Sequence, residues 1–126
     1  MSKTVFVLLV EDNPLNQKLI FVNLTRLGYK IDIVSNGEEA FQKVKSTRYD
    51  LVIMDLMMPV MDGLESSKLI REYESSFEYS TPIIGLTANT FDSDRERCIE
   101  AGMNEYMTKP FSLELFLNKI KKLGIV

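Results

Sequence analysis

The sequence predicts an α/β fold, a doubly wound arrangement in which a five-stranded parallel sheet carries helices on both faces. Three observations point to it. Short runs rich in β-branched residues alternate with longer segments at helical spacing; this βα unit recurs five times; and helix start and stop residues fall at the junctions. With 126 residues the chain has room for one domain built on a single core and too little for two. Residues 1–126 are therefore expected to form one unit.

The strands are TVFVLLV (4–10), KIDIV (30–34), LVIM (51–54), PIIGLT (82–87) and a short fifth strand near Glu105 to Met107. Between them, helical spacing is set by Leu15, Leu19, Val22 and Leu27; by Ala40, Phe41 and Val44; and by Leu64, Leu69 and Ile70. A last helix is expected from about Leu113 to Leu123, with Leu113, Phe116, Leu117 and Ile120 on one face. Asn13 before Pro14 suits an N-cap followed by proline at the first helical position. Asn36 with Glu39, and Asp62 with Glu65, have capping-box spacing, and Gly28 and Gly102 stand where helices one and four should stop. Strands that alternate with helices must run parallel, because each crossover returns over the sheet. ESSFEYS (74–80) reads as a polar loop before strand four.

Composition narrows the function. The chain is 45% apolar and 26% charged, as in folded globular proteins, and its net charge of -3 offers no basic excess for nucleic acid. The apolar run from Val5 to Val10 is far short of a membrane span, and the opening MSKTVFVLLVED turns acidic too soon for a signal peptide. A cytoplasmic location and no membrane contact are the expectation. Cys98, the single cysteine, can make no internal disulfide and is expected half-buried on a helix. With no histidine, Ser-His-Asp and Cys-His catalysis, His-ligated zinc and a phosphohistidine on this chain are excluded.

In open α/β sheets, ligands bind beyond the carboxyl ends of the strands. This sequence places Glu11 and Asp12 there after strand one, Asp55 after strand three, Thr87 after strand four, and Lys109 with Pro110 after strand five. Strand two ends in Ser35, Asn36 and Gly37, which read as turn residues. Three crowded carboxylates repel one another beyond what one lysine neutralises, so either their pKa values rise or a cation binds. Oxygen donors without His or Cys suit a hard ion, and Mg²⁺ fits best. Asp55 is then a candidate nucleophile toward a phosphoryl group, with the metal and Lys109 balancing charge. Met54, Met57, Met58 and Met61 read as packing residues, and Asp62 with Gly63 as the opening of helix three.

Four blocks, VLLVEDN (7–13), IMDLMMPVMDG (53–63), GLTAN (85–89) and YMTKPF (106–111), resemble in order and spacing the receiver domain of two-component response regulators. The wording of VEDNPLNQ, LTAN and DRERCIEAGMNEYMTKPF looks most like receivers of hybrid histidine kinases. The resemblance implies a flavodoxin-like (βα)5 fold with strand order 2-1-3-4-5. It implies that Asp55 accepts a phosphoryl group from a histidine kinase or a histidine-containing phosphotransfer protein. Asp12, Asp55 and the Met57 backbone carbonyl would then hold Mg²⁺, with Glu11 acting through water. It further implies that Lys109 contacts the phosphoryl group and that the Lys109–Pro110 peptide is cis. Thr87 and Tyr106 would act as switch residues, and Met57 and Asn89 would tune the lifetime of the phosphoryl group. Helix four, strand five and helix five would form a readout face with Phe91, Arg95, Tyr106 and Phe111. Such a domain is not a turnover enzyme, although it catalyses its own phosphorylation.

The competing readings make different demands. A phosphorylation-independent interaction module would be favoured by loss of Asp55 or Lys109, and both are present. An aspartyl phosphatase resembling the haloacid dehalogenases needs a second acid two residues after the nucleophile, where this chain has Met57. Neither GxGxxG nor GxxxxGK[ST] follows strand one, which argues against a nucleotide-binding domain. The sequence ends at Val126, just past helix five, and its wording favours a receiver cut from a larger hybrid kinase over a free-standing shuttle.

Overall fold

The structure, a computed structural model, describes residues 4–88 and 92–125. Five strands and five helices alternate: β1 (Phe6–Val10), α1 (Pro14–Arg26), β2 (Lys30–Val34), α2 (Gly37–Ser46), β3 (Leu51–Asp55), α3 (Gly63–Glu74), β4 (Ile83–Thr87), α4 (Asp92–Glu100), β5 (Glu105–Thr108) and α5 (Leu113–Lys122). All strand pairs are parallel, in the order β2-β1-β3-β4-β5. The chain reverses its direction of winding between β1 and β3, which opens a crevice at their carboxyl ends.

Strand periodicity divides the core in two. Val7 and Leu9 of β1, with Leu51 and Ile53 of β3, pack against Ile20 and Leu24 of α1 and Phe116 and Ile120 of α5. Leu8, Val10, Val52 and Met54 point the other way, onto Ala40 and Val44 of α2, Ile70 of α3 and Cys98 of α4. Because the sheet is covered on both faces, β3 and β4 are buried at every position, and that is why they read as continuous apolar runs.

The caps form where the sequence places them. The Asn13 side chain accepts from the amides of Leu15 and Asn16, Asn36 from Glu39, and Asp62 from Glu65. Gly28 and Gly102 end their helices with φ of 85° and 95°, a region that L side chains avoid.

Five expectations are corrected. Leu15, Leu19, Val22 and Leu27 are all exposed, and α1 buries Ile20 and Leu24 instead. The helix carries apolar residues on two nearly opposite faces, about 150° apart at 100° per residue, and spacing alone cannot choose between them. On α5, Leu117 is likewise exposed, since Phe116 and Ile120 already face the sheet. Met57 is 76% exposed, so it packs nothing. Cys98 is fully buried, and burial, with the charge of Asp94 nearby, pushes its thiol up to about 11, leaving it unreactive.

The stretch after α3 is the fifth: it is not merely polar. Glu74 is buried and accepts from the Thr81 amide and hydroxyl and from Arg71 Nη1 at 2.7 Å. Tyr73 packs tilted against Phe77, which stacks on Tyr79, and Arg48 covers the Tyr79 ring at 4.0 Å. Arg71 also donates from Nε to the Gly102 carbonyl and from Nη2 to Asn104, joining α3 to the turn before β5.

Candidate functional site

Each acid is set by the end of a strand. Asp55 closes β3, and the pleat that buries Ile53 and Met54 carries it to the rim with only 2% of its surface exposed. Glu11 and Asp12 follow β1 directly; Glu11 is wholly buried and Asp12 exposed. Carboxylate oxygens of Glu11, Asp12 and Asp55 lie within 4.8 Å of one another. Lys109 reaches in from the segment after β5, with Nζ 2.9 Å from Asp55 Oδ2 and 3.7 Å from Glu11 Oε2. Its own placement is fixed by the hydrogen bond from its amide to the Thr87 carbonyl at 2.7 Å. The Lys109–Pro110 peptide is cis.

Protonation follows from this crowding. Burial, together with the close approach and charge of the Asp55 carboxyl, pushes Glu11 up to about 7, against the opposing pull of Asn16 and Lys109. Burial by itself would lower Lys109, but its hydrogen bond to Asp55 and the charges of Asp55, Glu11 and Asp12 outweigh it and raise the ammonium above its usual range. Lys109 is therefore a fixed cation in the cluster. Three oxygen donors with neither sulfur nor imidazole suit a hard divalent ion, and Glu11 Oε2, buried without a hydrogen bond among the described residues, is a donor awaiting one.

The remaining predicted residues are distributed as follows. The Met57 backbone amide donates to Asp55 Oδ1 at 3.3 Å, while its side chain stands in solvent. Thr87 ends β4, buried, with its hydroxyl donating to Asp94 Oδ2 at 2.6 Å. Tyr106 is half-buried against the Met54 side of the core, and the Lys119 ammonium lies 5.8 Å from its ring centroid. Of the other readout candidates, Arg95 is exposed, but Phe111 packs into the opposite core against Phe116. Asn89 and Phe91 lie outside the described residues.

Sequence reasoning overlooked several contributors. Asn16 Nδ2 and the Asn13 amide both donate to Glu11 Oε1, and Gln17 Nε2 donates to the Glu11 carbonyl. Their only signal is their place in VEDNPLNQ, one helical turn past the acids. Gly63 is required for close approach: a Cβ there would penetrate the Asp55 carbonyl and come within 2.8 Å of Met54 Cγ. Asp94 was not singled out at all.

The fold and this cleft define a class, and comparison with known proteins agrees. The pattern of the response regulator receiver domain matches residues 7–121, and the chain belongs to that family. It is 41% identical over 120 residues to hybrid signal transduction histidine kinase K of Dictyostelium discoideum, covering 91% of this chain and 10% of that protein. Histidine kinase 5 of Arabidopsis thaliana is 36% identical over 132 residues, covering 86% of this chain and 14% of its own length. The chain thus spans a small fraction of the kinases that it resembles. Among solved structures, the receiver domain of a Pseudomonas aeruginosa sensor histidine kinase, with magnesium coordinated in its active-site cleft, is 39% identical with a TM-score of 0.83, covering 95% of this chain and 97% of that one. The receiver domain of a Saccharomyces cerevisiae response regulator, crystallised with its histidine phosphotransfer protein, is 32% identical with a TM-score of 0.90, covering 98% and 91%. This chain is accordingly a receiver domain of two-component and phosphorelay signalling, a signalling module and not a turnover enzyme on a separate substrate.

Proposed function

We propose that Asp55 is the phosphoacceptor and that a histidine kinase or a histidine-containing phosphotransfer protein is the donor. The observation that carries this is the placement of one buried carboxylate, Asp55, 2.9 Å from the Lys109 ammonium and inside the Glu11–Asp12 oxygen cluster. An Asp55 oxygen attacks phosphorus; the new P–O bond replaces the P–N bond, whose electron pair returns to the donor imidazole. Lys109 neutralises charge on the transferring group, and the Met57 amide orients the carboxylate.

Glu11, Asp12 and Asp55 would hold a magnesium ion, as the donor set favours and as the Pseudomonas relative does. That ion supplies Lewis-acid stabilisation of the phosphoryl oxygens. A divalent cation also relieves the repulsion within the crowded acid cluster.

Phosphorylation adds roughly 1.5 to 2 negative charges, which draws the Thr87 hydroxyl toward Asp55. Tyr106, one strand over and paired in register with Gly85, responds on the α4-β5-α5 face. Met57 and Asn89 tune access of water to the aspartyl phosphate. No described helix is long and apolar enough to cross a membrane, and a phosphohistidine donor is what supports the reading of a cytoplasmic location.

The partner meets an apolar rim. Leu15 of α1 is 78% exposed, Val60 of the β3–α3 loop 77%, and Met57 is equally open, all flanking the acids. A helical donor carrying a phosphohistidine fits such a rim, with apolar contact around a charged centre. The test is intact mass after incubation with a small acyl phosphate, with and without Mg²⁺, on the wild type and on Asp55→Asn. One phosphoryl mass that needs both metal and Asp55 supports the reading; an adduct that persists on Asp55→Asn overturns it.

A further inference from the structure

The two oxygens of Glu11 are treated differently. The carboxylate is wholly buried. Oε1 accepts from the Asn16 side-chain amide at 3.1 Å and from the Asn13 backbone amide at 3.3 Å. Oε2 accepts no hydrogen bond among the described residues; Lys109 Nζ stands 3.7 Å from it, an ammonium already donating to Asp55 at 2.9 Å.

We infer that Asn16 is a positioning residue for the metal, anchoring Glu11 Oε1 so that Oε2 is left facing the cation site. This rests on the reading that Glu11, Asp12 and Asp55 hold magnesium.

The geometry gives Asn16 that task. It sits in the first turn of α1, and the Asn13 cap that starts the helix also presents its own amide to Glu11. Gln17, the next residue, donates to the Glu11 carbonyl and pins the backbone, so among the described residues Asn16 is the side chain that donates a hydrogen bond to the carboxylate itself. A carboxylate rotates readily about its terminal bond. Freed from Asn16, Glu11 could turn an oxygen onto Lys109, a partner 3.7 Å away, and withdraw it from the cation. Outer-sphere hydrogen bonds of this kind commonly change metal affinity by about 10 to 100-fold.

The test is calorimetric titration of Mg²⁺ into the unphosphorylated wild type, Asn16→Ala, Glu11→Gln and the double variant, with melting followed in chelator. We expect Asn16→Ala to weaken Mg²⁺ binding about tenfold while its melting temperature without metal stays near that of wild type. In the Glu11→Gln background the same change should cost little more, because its target is gone. Unchanged Mg²⁺ affinity in Asn16→Ala, or a full loss retained in the Glu11→Gln background, overturns the inference. Should Asn16→Ala fold poorly, Asn16→Leu, nearly isosteric but without a donor, decides by the same criterion. A wild type that binds no Mg²⁺ removes the magnesium reading itself, and is told apart by that measurement alone.

Discussion

The Thr87 hydroxyl donates to Asp94 Oδ2 at 2.6 Å, tying the end of β4 to the first turn of α4. Both side chains are buried, and Arg97 approaches Asp94 Oδ1 only at 3.5 Å. A buried hydrogen bond to a carboxyl group contributes about 1 to 3 kcal/mol, so it holds the hydroxyl in its present orientation. If phosphorylation draws Thr87 toward Asp55, this bond must break. Asp94→Ala should therefore lower the stability of the unphosphorylated domain by about 1 to 3 kcal/mol and raise the phosphorylated fraction at fixed donor. Urea denaturation and phosphate-affinity electrophoresis read the two effects; a destabilised variant with an unchanged phosphorylated fraction would separate the bond from the switch.

Glu11 makes stability depend on pH in a particular direction. Its pKa is raised to about 7 in the folded chain from an ordinary 4.5. Between those values the folded state holds the proton more tightly than the unfolded state. The stabilisation is thus fully present below pH 4.5 and is lost as pH rises through 7, by roughly 3 kcal/mol at most. Relative to Glu11→Gln, the metal-free wild type should lose stability between pH 5 and pH 8, and saturating Mg²⁺ should reverse the trend, since the ion requires the ionised form. Parallel curves for the two proteins in chelator would contradict this.

Gly63 lets α3 start against the Asp55 backbone, with its amide donating to the Leu56 carbonyl at 3.1 Å. A methyl group there meets the Asp55 carbonyl and Met54 Cγ, both in packed surroundings that cannot yield cheaply. Gly63→Ala should destabilise the domain by about 2 to 4 kcal/mol and displace Asp55, lowering both Mg²⁺ affinity and phosphorylation. Thermal melting with Mg²⁺ titration tests it, and a variant that melts and binds like wild type would show that the loop shifts freely.

The apolar rim predicts a donor-dependent defect. Leu15→Glu should slow phosphoryl transfer from a histidine phosphotransfer protein by about tenfold, as replacing an interfacial apolar contact by a charge does. Transfer from a small acyl phosphate should fall much less. Stopped-flow quenching with the two donors measures the ratio; an equal loss with both would place Leu15 in the chemistry and not in docking.

Element order and the candidate cluster were legible in the sequence to an unusual degree. KIDIV spans β2 residue for residue, and the acids and lysine at the strand ends converge in space. Two of the errors share a cause. α1 offers two apolar stripes, and only the docked sheet reveals that Ile20 and Leu24 face inward while Leu15 and Leu19 face solvent. Leu117 was misassigned for the same reason, since an apolar residue on an amphipathic helix carries no mark of its orientation.

Local pattern alone determined the alternation of strands and helices, the caps at Asn13, Asn36 and Asp62, and which residue types stand at the carboxyl rim of the sheet. Those depend on periodicity and on hydrogen bonds between near neighbours, which spacing records. Tertiary structure alone decided that Asn16 orients Glu11, that Asp94 holds Thr87, and that Arg71 joins α3 to the turn before β5, with 31 residues separating it from Gly102. Each is a contact between polar groups that the burial of apolar faces elsewhere brings together, and no repeat in the chain encodes it.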